Sequence, residues 1–139
     1  TSILGLAFGI FHGLILLGDH FIGFTLVQIL VPFTTTTYKP FLVGLGQTSL
    51  YLWTILVVSF YVRKKIGSKT WRAIHFSSFL MFVFAVVHGI TTGTDSGSPV
   101  VQLVYLVSIV IVVGLVVYRI IRAVSRSRQK KNQAMRSNT

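Results

Sequence analysis

WRAIHFSSFLMFVFAVVHGITTG, residues 71–93, decides how the chain is read. It is apolar enough and long enough to cross a bilayer, which takes about 20 residues. Yet it carries an imidazole near each end, His75 and His88. A titratable ring costs free energy in hydrocarbon unless it is partnered, so each histidine needs a hydrogen bond or a ligand. The rest of the chain supplies the context for that choice.

The 139 residues are 53% hydrophobic and 11% charged, with two acids against thirteen Lys/Arg and no cysteine. Mean hydropathy is +0.77, whereas a soluble domain carries about 25% charged residues. The absence of cysteine excludes disulfides and thiolate metal sites. Four apolar spans can be read, roughly 2–18, 41–62, 71–92 and 100–121. Pro40 and Pro99 fall at the starts of the second and fourth, where a missing amide proton costs nothing. The expected fold is therefore all-α, a bundle of four transmembrane helices. Residues 21–33, FIGFTLVQILVPF, are too short to cross and read as a short interfacial helix or re-entrant piece over the outer mouth. Residues 1–122 are expected to form the membrane domain and the basic segment 123–139 a disordered tail. Thr1 follows no methionine and the first span lacks a basic flank, so the chain is expected to continue upstream.

The net charge of +11 is confined to a few places. Twelve of the thirteen cations fall in 63–72 (Arg63, Lys64, Lys65, Lys69, Arg72) or beyond the fourth span (Arg119, Arg122, Arg126, Arg128, Lys130, Lys131, Arg136). Both groups abut the ends of apolar spans, which is the positive-inside pattern, with anionic headgroups of the lipid bilayer as a further partner. The tail SRSRQKKNQAMRSNT has no aromatic or RNP-like residue, and nucleic acid is excluded as a partner on that ground. An integral protein of an inner or plasma membrane follows, with both termini and the 63–72 loop cytoplasmic. Asp19 and Asp95 then lie on the outer side, and the first and third spans run parallel.

That topology matches the depths of two histidines. His88 lies about four residues, roughly 6 Å, from the outer end of the third span, and His12 about six residues, roughly 9 Å, from the outer end of the first. Imidazoles at similar depth can supply both axial bonds to one haem iron, which satisfies their polar atoms. Gly13 and Gly89 follow these histidines and would leave room for a porphyrin face, although glycine also serves plain helix packing. His75 lies about 20 Å below His88 along a helix and, on a straight one, some 140° away in azimuth. It is expected to serve a second site, either a cytoplasm-facing haem or a hydrogen bond near the headgroups. His20 sits beside Asp19 near the outer surface and is the weakest metal-ligand candidate. Arg72 is a candidate propionate contact. No acid/base pair or nucleophile triad is present, so chemistry beyond electron transfer lies elsewhere.

The run from Tyr38 to Gly97, with K-P opening one span, a basic I-G loop, W-R-x-x-H and a second histidine thirteen residues on, resembles the ferric reductase-like transmembrane domain. That superfamily includes ferric reductases, NADPH oxidases and the haem-binding membrane subunit of the bacterial methionine sulfoxide reductase system. His12, in FGIFHGLILLGD, completes the pattern, and the resemblance covers about residues 5 to 121. It implies haem b held by histidine pairs between helices and electron transfer across the bilayer. His12 and His88 match the outer pair, and His75 matches the inner ligand. Two features depart from the family. No histidine stands opposite His75 on the first span, and no flavin or nicotinamide domain follows the fourth. One haem is therefore expected, with a second depending on a ligand for His75.

A cytochrome b-like subunit of a larger membrane complex is thus expected, the electron-transfer component of an oxidoreductase. Its electrons would come from quinol or a flavoprotein and pass to a separate acceptor protein. The competing reading is a pigment-binding or structural accessory subunit of a photosynthetic or respiratory complex. A transporter is disfavoured by the near absence of intramembrane carboxylates. The topology has a direct test in this cysteine-free chain. Single cysteines at Ser68 and Ser96 should label from opposite sides of sealed vesicles, and labelling from one side would overturn the four-span arrangement.

Overall fold

The computed structural model describes residues 2–20, 22–36 and 38–136; Thr1, Phe21, Thr37 and residues 137–139 lie outside the described residues. Every regular element among the described residues is helical. They are α1 (Ser2–Ile15), a 3-10 turn (Leu16–Gly18), α2 (Leu26–Leu30), α3 (Pro40–Phe76), α4 (Ser78–Thr92) and α5 (Pro99–Arg136). The chain divides into two compact units, one up to Ser96 and one from Gly97.

Pro40 stands at the start of α3, where its fixed φ suits a first turn. The helix runs through the second predicted span and on past Val62 until Gly67, which has φ 80° and ψ 157°. That backbone is open essentially to glycine alone. Helix resumes at once, so the stretch 63–72, expected as a loop, is helical on both sides of a single reversing residue. Arg72 Nε donates to the Ser68 carbonyl at 3.2 Å and helps close the first turn after the reversal. Residues bracketing Gly67 then meet across the seam. Tyr38 Oη donates to the Thr92 carbonyl at 3.2 Å, and Lys39 Nζ to the Thr91 carbonyl at 2.5 Å.

The third predicted span continues through Ser77, which keeps helical dihedrals (φ −65°, ψ −9°) and accepts from the Met81 amide at 2.9 Å. A local tightening marks the junction of α3 and α4, where the Ser77 amide and hydroxyl both donate to the Ile74 carbonyl at 3.0 and 2.7 Å. His75 lies on one side of that turn and His88 on the other.

α1 packs on α3 through small residues. Gly5 and Gly9 recur at four-residue spacing, and Gly13 continues the stripe. A Cβ on Gly5 would fall 2.6 Å from the Trp53 ring, and one on Gly9 2.9 Å from Leu50 Cδ1. Small residues in apolar helices allow this close approach, where dispersion and not the hydrophobic effect holds the pair. Where 21–33 was expected to hold a short helix, α2 occupies five residues. Its N-terminus is a capping box, in which Thr25 and Gln28 satisfy each other's backbone amides at 2.9 and 3.3 Å.

In the second unit α5 rises about 57 Å at 1.5 Å per residue. It continues as helix through the basic segment to Arg136, where a disordered tail was expected from residue 123. Two helical stretches are long and apolar enough to cross a membrane: Pro40–Thr92, which contains the Gly67 reversal, and Pro99–Gln129. Ser2–Gly18 is a shorter apolar helix. The only buried large apolar side chains among the described residues are Phe24, Val43 and Leu45, while Phe76 is 73% exposed and Val100 70%. A surface so apolar is compatible with lipid as the surrounding medium.

Nothing lies within 4 Å of a Cβ added at Gly67, so a substitution there is opposed by backbone conformation alone. Gly67→Ala should lower stability by about 1–3 kcal/mol, read as a lower melting temperature in detergent. Ser68→Ala, which keeps the neighbouring backbone, should melt within a degree or two of the native chain.

Candidate functional site

Two cavities open in the first unit, one on each side of Trp53 and Met81, which line both. The first has a volume of about 380 Å³, within the range of small-molecule and cofactor sites. α1 contributes His12, α4 contributes His88, and α3 contributes Gly46 and Gln47 between them. The structure thus brings His12 and His88 to one cavity at the level of Gly46. Gly9, Gly13, Gly46 and Ala85 supply small walls, and the remainder is largely apolar.

His88 is fixed by its surroundings. Its Nδ1 lies 2.8 Å from the Leu42 carbonyl oxygen. A carbonyl only accepts, so Nδ1 carries the proton and Nε2 keeps the lone pair that a metal would take. The Thr92 hydroxyl, which donates to the His88 carbonyl at 2.7 Å, lies 3.5 Å from Nε2, too far for a firm bond. The ring is wedged against α3, since a Cβ at Gly46 would fall 2.6 Å from His88 Nδ1 and Cε1. Backbone-anchored imidazole of this kind is how proteins orient a metal-binding histidine.

α2 covers part of this cavity with Gln28 and Ile29, joined by the buried ring of Phe24. Gln47 Nε2 donates to the Gln28 and Ile29 carbonyls at 2.6 and 2.7 Å, and Tyr51 Oη donates to the Leu30 carbonyl. The last turn of α2 is therefore held to α3 by side chains. Gln47 Oε1 is buried without a partner.

The second cavity, about 520 Å³, is lined by His75 and by aromatic residues of both arms of α3, with Ser2 and Ile3 of α1. His75 stacks on Trp71, ring centroids 5.1 Å apart and planes 19° from parallel. The structure thus places His75 and His88 on different cavities. It brings neither His20 nor Arg72 to either one: both side chains are exposed, and Arg72 is turned to Ser68. No group of three or more His, Asp or Glu able to hold a metal ion occurs among the described residues. Sequence reasoning passed over Gly46, Gln47, Trp53 and Met81. The signals were present, because small and polar residues inside an apolar span mark close packing or function.

Comparison with family models, curated proteins and solved structures finds no match for this chain.

The wedge at Gly46 generates a test that any ligand of His88 would register. Gly46→Val should push the imidazole off the Leu42 carbonyl and abolish ligand retention. Gly114→Val, at a position with nothing within 4 Å of the added Cβ, should leave retention unchanged in the same purification.

Proposed function

We propose that this chain is a haem b-binding membrane subunit that relays electrons, similar to the ferric reductase-like transmembrane domain. The observation that carries this reading is the pair His12 and His88 on one largely apolar cavity, with His88 held through Nδ1 so that Nε2 is its ligand nitrogen. The residues fit the group. Two neutral imidazoles are the donor set of a six-coordinate cytochrome, and the cavity that His12 and His88 share is otherwise largely apolar.

When bound, the haem would supply one-electron redox chemistry, its potential tuned by axial ligands, burial and nearby charge. His12 and His88 would hold the iron from α1 and α4. Leu42 orients His88 through the hydrogen bond. Phe24, Ile29 and Leu16 limit water on the α2 side, and Gln47 and Tyr51 keep that cover in place. In this reading α1, the two arms of the α3–α4 hairpin and α5 are the four membrane spans, with the basic ends on the cytoplasmic side. A separate donor, quinol or flavoprotein, and a separate acceptor protein complete the path. The chain is then one subunit of an oxidoreductase complex.

Spectroscopy of the purified protein tests the assignment. The dithionite-reduced form should show sharp α and Soret bands, and His12→Ala or His88→Ala should each remove the same bands. Unchanged bands in both variants would sink it, and chlorin bands would point to a pigment-binding subunit.

A further inference from the structure

The first cavity leaves one part of its ligand without a partner. Haem b carries its propionate carboxylates along one edge of the ring. No Lys, Arg or acid stands among the described residues that line the cavity. An unpaired carboxylate among apolar walls is costly, so that edge has to meet a cation at the cavity rim. Arg72, the contact expected from sequence, is turned to Ser68. Where the first cavity borders the second, its walls are Trp53 and Met81, which carry no charge.

The Pro40 end of α3 is different. Lys39, of the K-P pair that opens the helix, is the one cation of the thirteen outside the two basic groups. With those groups taken as cytoplasmic, it stands on the opposite side, against the bias that places the rest. Val43, Gly46, Gln47 and Leu50 line the cavity from α3. Lys39 precedes them by four, seven, eight and eleven residues, the spacing of a single helical face. It therefore sits one turn beyond Val43 on the cavity side, and the Val43 amide donates to its carbonyl at 3.0 Å. Its ammonium donates to the Thr91 carbonyl, three residues past His88 on α4, and lies 5.3 Å from the centre of the Tyr38 ring. Both partners are neutral. An ammonium has three N–H donors, and this side chain is exposed, so a charged acceptor can reach the others.

We infer that Lys39 is the counter-charge for the carboxylates of the ligand in the first cavity. His12 and His88 hold the iron, and the propionate edge is turned towards the start of α3, where the ammonium pairs with it. The assignment rests on the haem reading of that cavity and names the cation the reading lacks.

Uptake of haemin by the full chain in detergent, read from the shift of the Soret band, tests the assignment. The iron complex of protoporphyrin IX dimethyl ester is titrated alongside, because it keeps the ring and the metal but has no carboxylate. Lys39→Met should weaken haemin binding about threefold to tenfold, and should change ester binding by less than about twofold. Lys39→Arg, which keeps a cation at the rim, should bind haemin within about threefold of the native chain. The deficit of Lys39→Met should shrink as salt is raised, since an exposed ion pair is screened. Haemin binding by Lys39→Met equal to that of the native chain would overturn the assignment. So would an equal loss with haemin and with the ester, which would mark a packing role through Thr91. Failure of the haem reading looks different: the native chain then takes up neither porphyrin, and the assignment falls with it.

Discussion

The first unit depends on a reversal made at one residue. With Gly67 at φ 80° and ψ 157°, the helix before it and the helix after it run back along each other with no intervening loop. The register this sets is what places each partner. Leu42 reaches His88, Trp53 shares its cavities with Met81, and Phe60 and Tyr61 stand on the same wall as His75. A longer connection would let the arms slide, and a slide of one helical turn, about 5.4 Å, would carry Leu42 out of hydrogen-bond reach of His88. The only conformational cost is borne by a residue that has no Cβ to clash.

Within that frame each histidine finds a different answer to the cost of sitting among apolar neighbours. His88 exchanges water for a backbone carbonyl at 2.8 Å and fits because Gly46 has no side chain. The geometry is possible only because the Leu42 carbonyl, which belongs to the helical ladder of α3, has a second lone pair to offer. His75 comes thirteen residues earlier in the chain and rests its ring face on Trp71. Stacking leaves the ring edge free, whereas the hydrogen bond to Leu42 commits one of the two nitrogens of His88. The same residue type is thereby held by a hydrogen bond at one level and by ring stacking at the other.

Much of this was legible in the sequence. Apolar run lengths convert to helices through the 1.5 Å rise, and the charge bias makes the first and third runs parallel, so the shared level of His12 and His88 could be read from residue counts. Other features were hidden for physical reasons. Arg63, Lys64 and Lys65 look like a solvated loop, yet such side chains can also lie along a helix, as the Arg63 guanidinium does over the Phe60 ring at 4.2 Å. The azimuth argument separates His75 from His88 along one helix, and the two line different cavities. The attachment of α2 by Gln47 and Tyr51 is a tertiary contact across some twenty residues that no local pattern encodes.

The two cavities also differ in the volume of the side chains that wall them. Around His12 and His88 the sequence spends glycine and alanine, at positions 9, 13, 46 and 85, and Leu50 packs against Gly9 as the His88 ring packs against Gly46. Around His75 it spends tryptophan, phenylalanine and tyrosine, so space is left between ring faces. Trp53 and Met81 belong to both environments. Met81 is unbranched and polarizable enough to fit the irregular boundary, and Trp53 reaches α1 at Gly5 as well. The close approach of α1 to α3 at Gly5 and the partition between the cavities are therefore set by one indole, and a change in its size would be felt on both sides of the wall.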